Sequence, residues 1–157
     1  MKKIPLTQGR FILVDNDRFE YLNSFHWVAS IGGYAQTQRM KNKVISRIRM
    51  HRMIMNAKKG ERVDHINGNR LDNRVSNLRL CTNAENVRNS KIRSNNTTGY
   101  KGVYQHKSKS FNKFEAYIWV DYKKIILGYF KNKIDAAKAY NKGALKYHKE
   151  FAHLNVI

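Results

Sequence analysis

The sequence predicts an α+β chain in two parts: short strands leading into short helices over residues 1–93, then a small three-stranded antiparallel sheet plus one helix over residues 94–157. Three observations carry this reading. Apolar residues alternate at the two-residue period of strands in several runs, and recur at helical spacing from Ile134 to about Tyr147. The cations change type along the chain, because residues 1–95 mix arginine with lysine whereas all 12 cations of residues 96–157 are lysine. Between these regions, Ser90–Gly99 is polar and without apolar periodicity, which places a domain boundary there. At 157 residues the chain has room for one ordinary domain or two small ones.

Taken in order, Phe11–Val14 and Tyr34–Gln38 read as strands, with Gly32-Gly33 as the turn between flanking segments. Val44–Met50 is a further strand, with Val44, Ser46, Ile48 and Met50 on one face and Ile45, Arg47 and Arg49 on the other. His51–Asn56 then reads as a short helix that stops near Lys58-Lys59-Gly60 by the glycine rule for helix ends. In the second part, strand-like runs cover Gly102–His106, Lys113–Tyr122 and Lys124–Phe130, joined by short polar turns. Phe114, Ala116, Ile118 and Val120 share the face that forms a core, and Lys113, Glu115, Tyr117 and Trp119 share the other. A helix capped by Asn132, with Asp135 in its first turn, offers Ile134, Ala137, Tyr140, Ala144 and Tyr147 to cover that core. Gly143 inside this helix implies close packing.

Composition narrows the partner. There are 31 Lys plus Arg against 11 Asp plus Glu, a formal charge of +20, which is unlike a neutral metabolic enzyme. With 41% hydrophobic residues the chain can still fold, so it is a folded polycation and not a disordered basic tail. Such a charge calls for a polyanion, with nucleic acid first and a membrane surface second. No apolar run approaches the length of a membrane span, and the start, Met1–Arg10, lacks an apolar signal core, so a cytoplasmic protein is expected. Cys81 stands alone, which excludes intramolecular disulfides and paired-cysteine zinc sites.

The segment Val63–Asn89 carries the chemistry. It contains adjacent Asp64 and His65, an Asn-rich glycine turn, a strand and then a helix. Thr82 and Glu85 fit the capping box, in which hydroxyl and carboxylate satisfy each other's free backbone amides, so Asn86 sits at a fixed place in the first helical turn. Asn67, Gly68, Asn69 and Asn73 read as turn formers. Asp64-His65-Ile66-Asn67-Gly68-Asn69, then Asn77-Leu78, then Glu85-Asn86 with Asn89, resembles the phage homing-endonuclease branch of the HNH nucleases. The resemblance implies a ββα-metal fold in which His65 is the general base, Asn77 orients its imidazole, and Asp64 with Asn86 bind the metal. Chemistry agrees with that division: neutral imidazole can take a proton from water, and two oxygen ligands suit a hard ion such as Mg²⁺, or another divalent such as Mn²⁺. His51 matches the family's Met-His-Arg, and packing or a phosphate contact is its expected role.

The second part resembles the plant ethylene-response-factor (apetala-type) DNA-binding domain along nearly its whole length. The resemblance rests on Gly99-Tyr100-Lys101-Gly102-Val103, Leu127-Gly128-Tyr129-Phe130, Asp135–Tyr140 and Phe151–Asn155. In that family the sheet lies in the major groove and reads bases with Arg and Trp. The matching positions here are Lys101, Tyr104, His106, Tyr117, Trp119 and Lys124, none of them arginine, so docking on DNA is a firmer expectation than inherited sequence preference.

Together these readings imply a site-specific, metal-dependent DNA endonuclease that cuts double-stranded DNA to 5′-phosphate and 3′-hydroxyl ends, acting in the cytoplasm of a bacterial host if phage-encoded. One centre cuts one strand, so a double-strand break needs a homodimer or two nicks. The rivals are a non-catalytic, sequence-specific DNA-binding regulator and an RNA-binding protein of ribosomal type.

Overall fold

A computed structural model describes residues 1–41, 44–92, 94–108 and 113–157, with only the backbone of Gln8 and Lys41. Arg93, where the sequence ends the first domain, lies outside the described residues. The chain divides into two units, Met1–Asn86 and Val87–Ile157. The division falls ahead of the polar stretch because residues 88–90 are tied forward: the Lys101 ammonium donates to the carbonyls of Arg88 and Ser90, each at 2.6 Å.

The first unit opens with an antiparallel hairpin of β1 (Lys2–Leu6) and β2 (Arg10–Val14), in which Ile4 lies opposite Ile12 and both are buried. β1 was not anticipated. Pro5 interrupts the pattern, and it is tolerated because β1 is an edge strand on which one missing N–H costs no ladder bond. A short helix α1 (Phe19–Asn23) follows, then the sheet of β3 (Val28–Ala29), β4 (Ala35–Lys41) and β5 (Val44–Arg49). α2 (Met50–Ile54) ends earlier than its sequence suggests. Asn56, at φ 46°, supplies the left-handed turn that Gly60 was expected to provide. The Arg52 guanidinium then bonds the carbonyls of Ala57 and Lys58 that a longer helix would have used. The two-stranded ribbon of β6 (Arg62–His65) and β7 (Leu78–Cys81) and the helix α3 (Asn83–Arg88) complete the ββα order. Ile4, Leu6, Ile12, Val14, Leu22 and Met50 form the centre of this unit's core.

In the second unit β8 (Val103–Gln105), β9 (Phe114–Val120) and β10 (Lys123–Phe130) form an antiparallel sheet in the order β10-β9-β8, covered by α4 (Lys133–His148). Asn132 caps α4, its side-chain oxygen accepting from the Asp135 amide at 2.8 Å. Ala136, Ala137, Tyr140, Gly143 and Ala144 face the sheet, whereas Ile134 is exposed and adds nothing to the core. β9 stops at Val120 instead of running to Tyr122. Asp121 and Tyr122 both take positive φ, 46° and 63°, and form the two-residue hairpin turn whose twist matches the flanking strands. The C-terminal Asn155 acts as a piece of backbone. Its side chain exchanges two hydrogen bonds with the main chain of Lys101, at 2.7 and 3.1 Å, and its own main chain exchanges two with the Asn141 amide.

Gly102 joins sheet and helix. Its φ is 69°, and a Cβ there would overlap the Tyr140 ring and stand 2.6 Å from the Tyr117 carbonyl oxygen. Gly102→Ala therefore combines backbone strain with overpacking, and should destabilise the second unit by about 2–4 kcal/mol in urea unfolding. An unchanged midpoint would show that the Tyr140 ring has room to withdraw.

Candidate functional site

Asp64 and His65 are the last two residues of β6, and both are buried. The ribbon register sets Asp64 opposite Arg79 and His65 opposite Leu78. Cross-strand neighbours on one face lie close enough to pair, and the Arg79 guanidinium meets the Asp64 carboxylate through Nη2 at 2.8 Å and Nε at 3.1 Å, both on Oδ2. Arg79 had no place in the sequence reading. The signal that could have found it is the ribbon register itself, since pairing His65 with Leu78 obliges Asp64 to face Arg79.

The loop after His65 is held by amide side chains. The Asn67 main-chain N–H donates to Asn77 Oδ1 at 3.0 Å, and Asn77 Nδ2 donates to the Asp72 carbonyl at 2.8 Å. Asn77 thus spans the loop and fixes its shape. It acts on His65 from one residue away, since the Asn77 carbonyl accepts from the Ile66 amide at 2.9 Å. Asp72, almost fully buried, accepts from Asn67 Nδ2 and from Arg74 Nε and Nη2. The Arg74 guanidinium holds the Asp72 carboxyl below the usual carboxylate range against the opposing effect of burial. The loop is also anchored from outside: Leu13 in β2 bonds both the Leu71 carbonyl and the Asn73 amide at 2.8 Å, and Asp15 accepts from the Val75 amide. The N-terminal hairpin is therefore the scaffold of the site loop.

The His65 ring sits in an aromatic cluster. The His51 ring centroid is 5.0 Å away, edge to face, and the Tyr34 centroid is 5.9 Å away. Arg49 and Arg70 lie against the Tyr34 ring at 4.9 and 4.8 Å. Burial lowers the His65 pKa below its ordinary value; the Asn73 side chain, Asp64 and Asp72 oppose that shift and Arg70 adds to it. Asn73 is accordingly more than a turn former, being almost fully buried beside the imidazole. His51 is pushed down to about 3, first by burial and then by His65, Arg49 and Arg52. Both imidazoles are neutral at neutral pH, the form a proton acceptor needs.

Asn86 is half-buried in α3. The capping box forms: the Thr82 amide donates to Glu85 Oε2 at 2.7 Å, and the Glu85 amide donates to Thr82 Oγ1 at 3.2 Å. No group of three or more His, Cys, Asp or Glu side chains converges as a metal cluster among the described residues. A carboxylate from Asp64 and an amide oxygen from Asn86 fit a hard divalent ion by donor type, and the ion would share the carboxylate with Arg79.

In the second unit, strand alternation puts Tyr104, Glu115, Tyr117, Trp119, Lys124, Ile126 and Tyr129 on the sheet face away from α4. His106 follows β8 on the same side, its ring 4.9 Å from Tyr104 and 6.0 Å from Tyr129. Tyr104 and Trp119 are each 55% exposed. Glu115 is buried at the centre and takes both His106 Nε2, at 3.0 Å, and Lys124 Nζ. Burial works against its charge, yet the bonds from Lys124 and His106 outweigh it and hold the carboxyl below its usual range. Lys101 departs from expectation. Its ammonium bonds the Arg88 and Ser90 carbonyls, and burial brings its pKa down to about 8, so it is a structural tie and not a surface cation.

Residues 49–88 match the HNH endonuclease family model, a stretch that includes Asp64, His65, Asn77 and Asn86. The chain is 43% identical over 51 residues to Protein 3.8 of Escherichia phage T7, covering 32% of this chain and 42% of that protein. No solved structure matches.

Proposed function

We propose that this chain is a site-specific DNA endonuclease of the homing type, with a nuclease unit followed by a DNA-binding unit. The observation that carries this is His65: a buried, neutral imidazole next to Asp64 at a strand end, within the residues that match the HNH model. His65 takes the proton of the attacking water as general base. Asn77 and Asn73 keep the loop and imidazole in register for that transfer. Asp64 and Asn86 hold Mg²⁺, or Mn²⁺, which when bound would offset charge on the leaving oxygen. Cleavage leaves a 5′-phosphate and a 3′-hydroxyl. The second unit, by its resemblance to the apetala-type domain, docks DNA with the sheet face of Tyr104, His106, Tyr117, Trp119 and Lys124. Residues 96–157 carry 12 lysines against 4 acids, which supplies phosphate affinity to that unit. A double-strand break requires a second copy or a second nick, and the setting is the cytoplasm of a phage-infected host.

Incubating supercoiled plasmid with the protein in Mg²⁺ or in EDTA tests the activity. Metal-dependent conversion to nicked or linear circles is the expected outcome. Retardation without cleavage, on plasmids that carry a library of sites, would favour a non-catalytic DNA-binding regulator. Salt dependence tests the second unit: replacing Lys107, Lys113, Lys123 and Lys131 with glutamine should flatten log Kd against log salt by roughly 0.9 for each phosphate that is no longer neutralised. An unchanged slope would remove the lysines of this unit from DNA binding.

A further inference from the structure

We propose that the outer face of β8, β9 and β10 is a stacking platform for unpaired bases of a DNA strand. This rests on the reading above that the second unit docks DNA, and it specifies which form of DNA the face takes.

A face that reads a duplex needs donors for base edges and phosphates, because paired bases hide their rings within the stack. The cations expected for that task are otherwise engaged. Lys101 is bound to two carbonyls, and His106 and Lys124 share the buried Glu115 carboxylate, so the middle of the face is close to electrically balanced. What the face presents is ring surface. Tyr104, Trp119 and Tyr129 are all about half exposed, with Ile126 between them and Lys124 lying over the Tyr117 ring at 4.6 Å. Aromatic side chains spread over an antiparallel sheet suit splayed bases, each of which has a π face whatever its sequence.

Charge at the edges matches such a strand. Lys107 just beyond β8 and Lys113 just before β9 are exposed at one end of the sheet, and Lys123 at the start of β10 is exposed at the other, where they can meet phosphates flanking the stacked bases. Tyr122 adds a ring at the hairpin tip. It is 96% exposed at φ 63°, a backbone region that disfavours bulky residues, and its side chain recovers no burial in return. A second copy of this chain is a poor occupant, since both surfaces would be rimmed by lysine.

The test uses the full chain carrying His65→Ala, in EDTA, with a fluorescein-labelled 15-nucleotide mixed-sequence strand and its blunt duplex as probes. At about 0.15 M salt the strand should bind at least as tightly as the duplex. Trp119→Ala should weaken strand binding roughly tenfold, Trp119→Phe should restore it, and the duplex should change by less than about twofold. Tyr104→Ala should do the same from a different strand of the sheet, which guards against misfolding of one variant. The strand should also quench Trp119 fluorescence, a signal separable from the buried Trp27 by its loss in Trp119→Phe. If Trp119→Ala and Tyr104→Ala weaken duplex and strand equally, the face docks duplex and the stacking proposal fails while the docking reading stands. If neither variant affects either probe, the face binds no DNA and both fail.

Discussion

Replacing His65 with alanine should reduce single-turnover cleavage of supercoiled DNA by a factor of about 10²–10⁴, the range a positioned general base supplies. Binding in EDTA should stay within a few-fold. The two readouts separate because His65 is 4% exposed and neutral, so it offers a phosphate no charge, whereas the neighbouring imidazole of His51, held near 3, is a much weaker proton acceptor. The pH profile carries the same signature. A base works when deprotonated, and burial lowers the His65 pKa, so cleavage should persist as pH falls through 6.5 and be lost only below it. Equal losses of cleavage and binding in His65→Ala would make the imidazole a binding or structural group. An acid limb above pH 6.5 would contradict the buried, neutral state.

The parts of the site that sequence reading reached are those fixed by local chemistry. Thr82 and Glu85 cap α3 because a hydroxyl and a carboxylate three residues apart can reach each other's backbone amides without outside help. The inner face of β9 was equally plain, since Ala116 and Ile118 alternate with larger polar or aromatic residues and are fully buried. What escaped depends on partners distant in sequence. Arg79 matters through its strand register against Asp64, fifteen residues earlier. Asn73 is placed by Leu13 of β2, and nothing in the Asn-rich run marks which amide will turn toward His65 and which, like Asn77, will brace the loop. The surroundings of Lys101 escaped for the same reason: it matches a reading position in a motif, and the carbonyls its ammonium bonds come from the preceding helix and turn. Glu115 lay on the face opposite the core, and it is buried there where His106, just past β8, and Lys124 of β10 converge on it.

Acid should destabilise the first unit through His51. Its folded pKa is depressed to about 3, so below the ordinary value of 6.5 the unfolded chain takes up a proton that the folded chain refuses. Its contribution to stability is therefore complete above pH 6.5 and falls progressively as pH drops toward 3. Between pH 7 and pH 5 the loss amounts to about 2 kcal/mol, a large share of the roughly 5–15 kcal/mol that holds an ordinary domain together. His65 shifts in the same direction and adds to it. His51→Phe keeps an aromatic ring against His65 and Tyr34 but removes the titration. Urea unfolding at pH 7 and pH 5 should thus show a smaller pH-dependent loss in the variant, whatever its absolute stability. The comparison matters for function because the ring that resists protonation is 5.0 Å from the proposed base, and burial is the first cause of the lowered pKa in both imidazoles. If wild type and His51→Phe lose equal stability over that interval, His51 is not the acid-sensitive group, and the aromatic cluster does not set the electrostatics of the site.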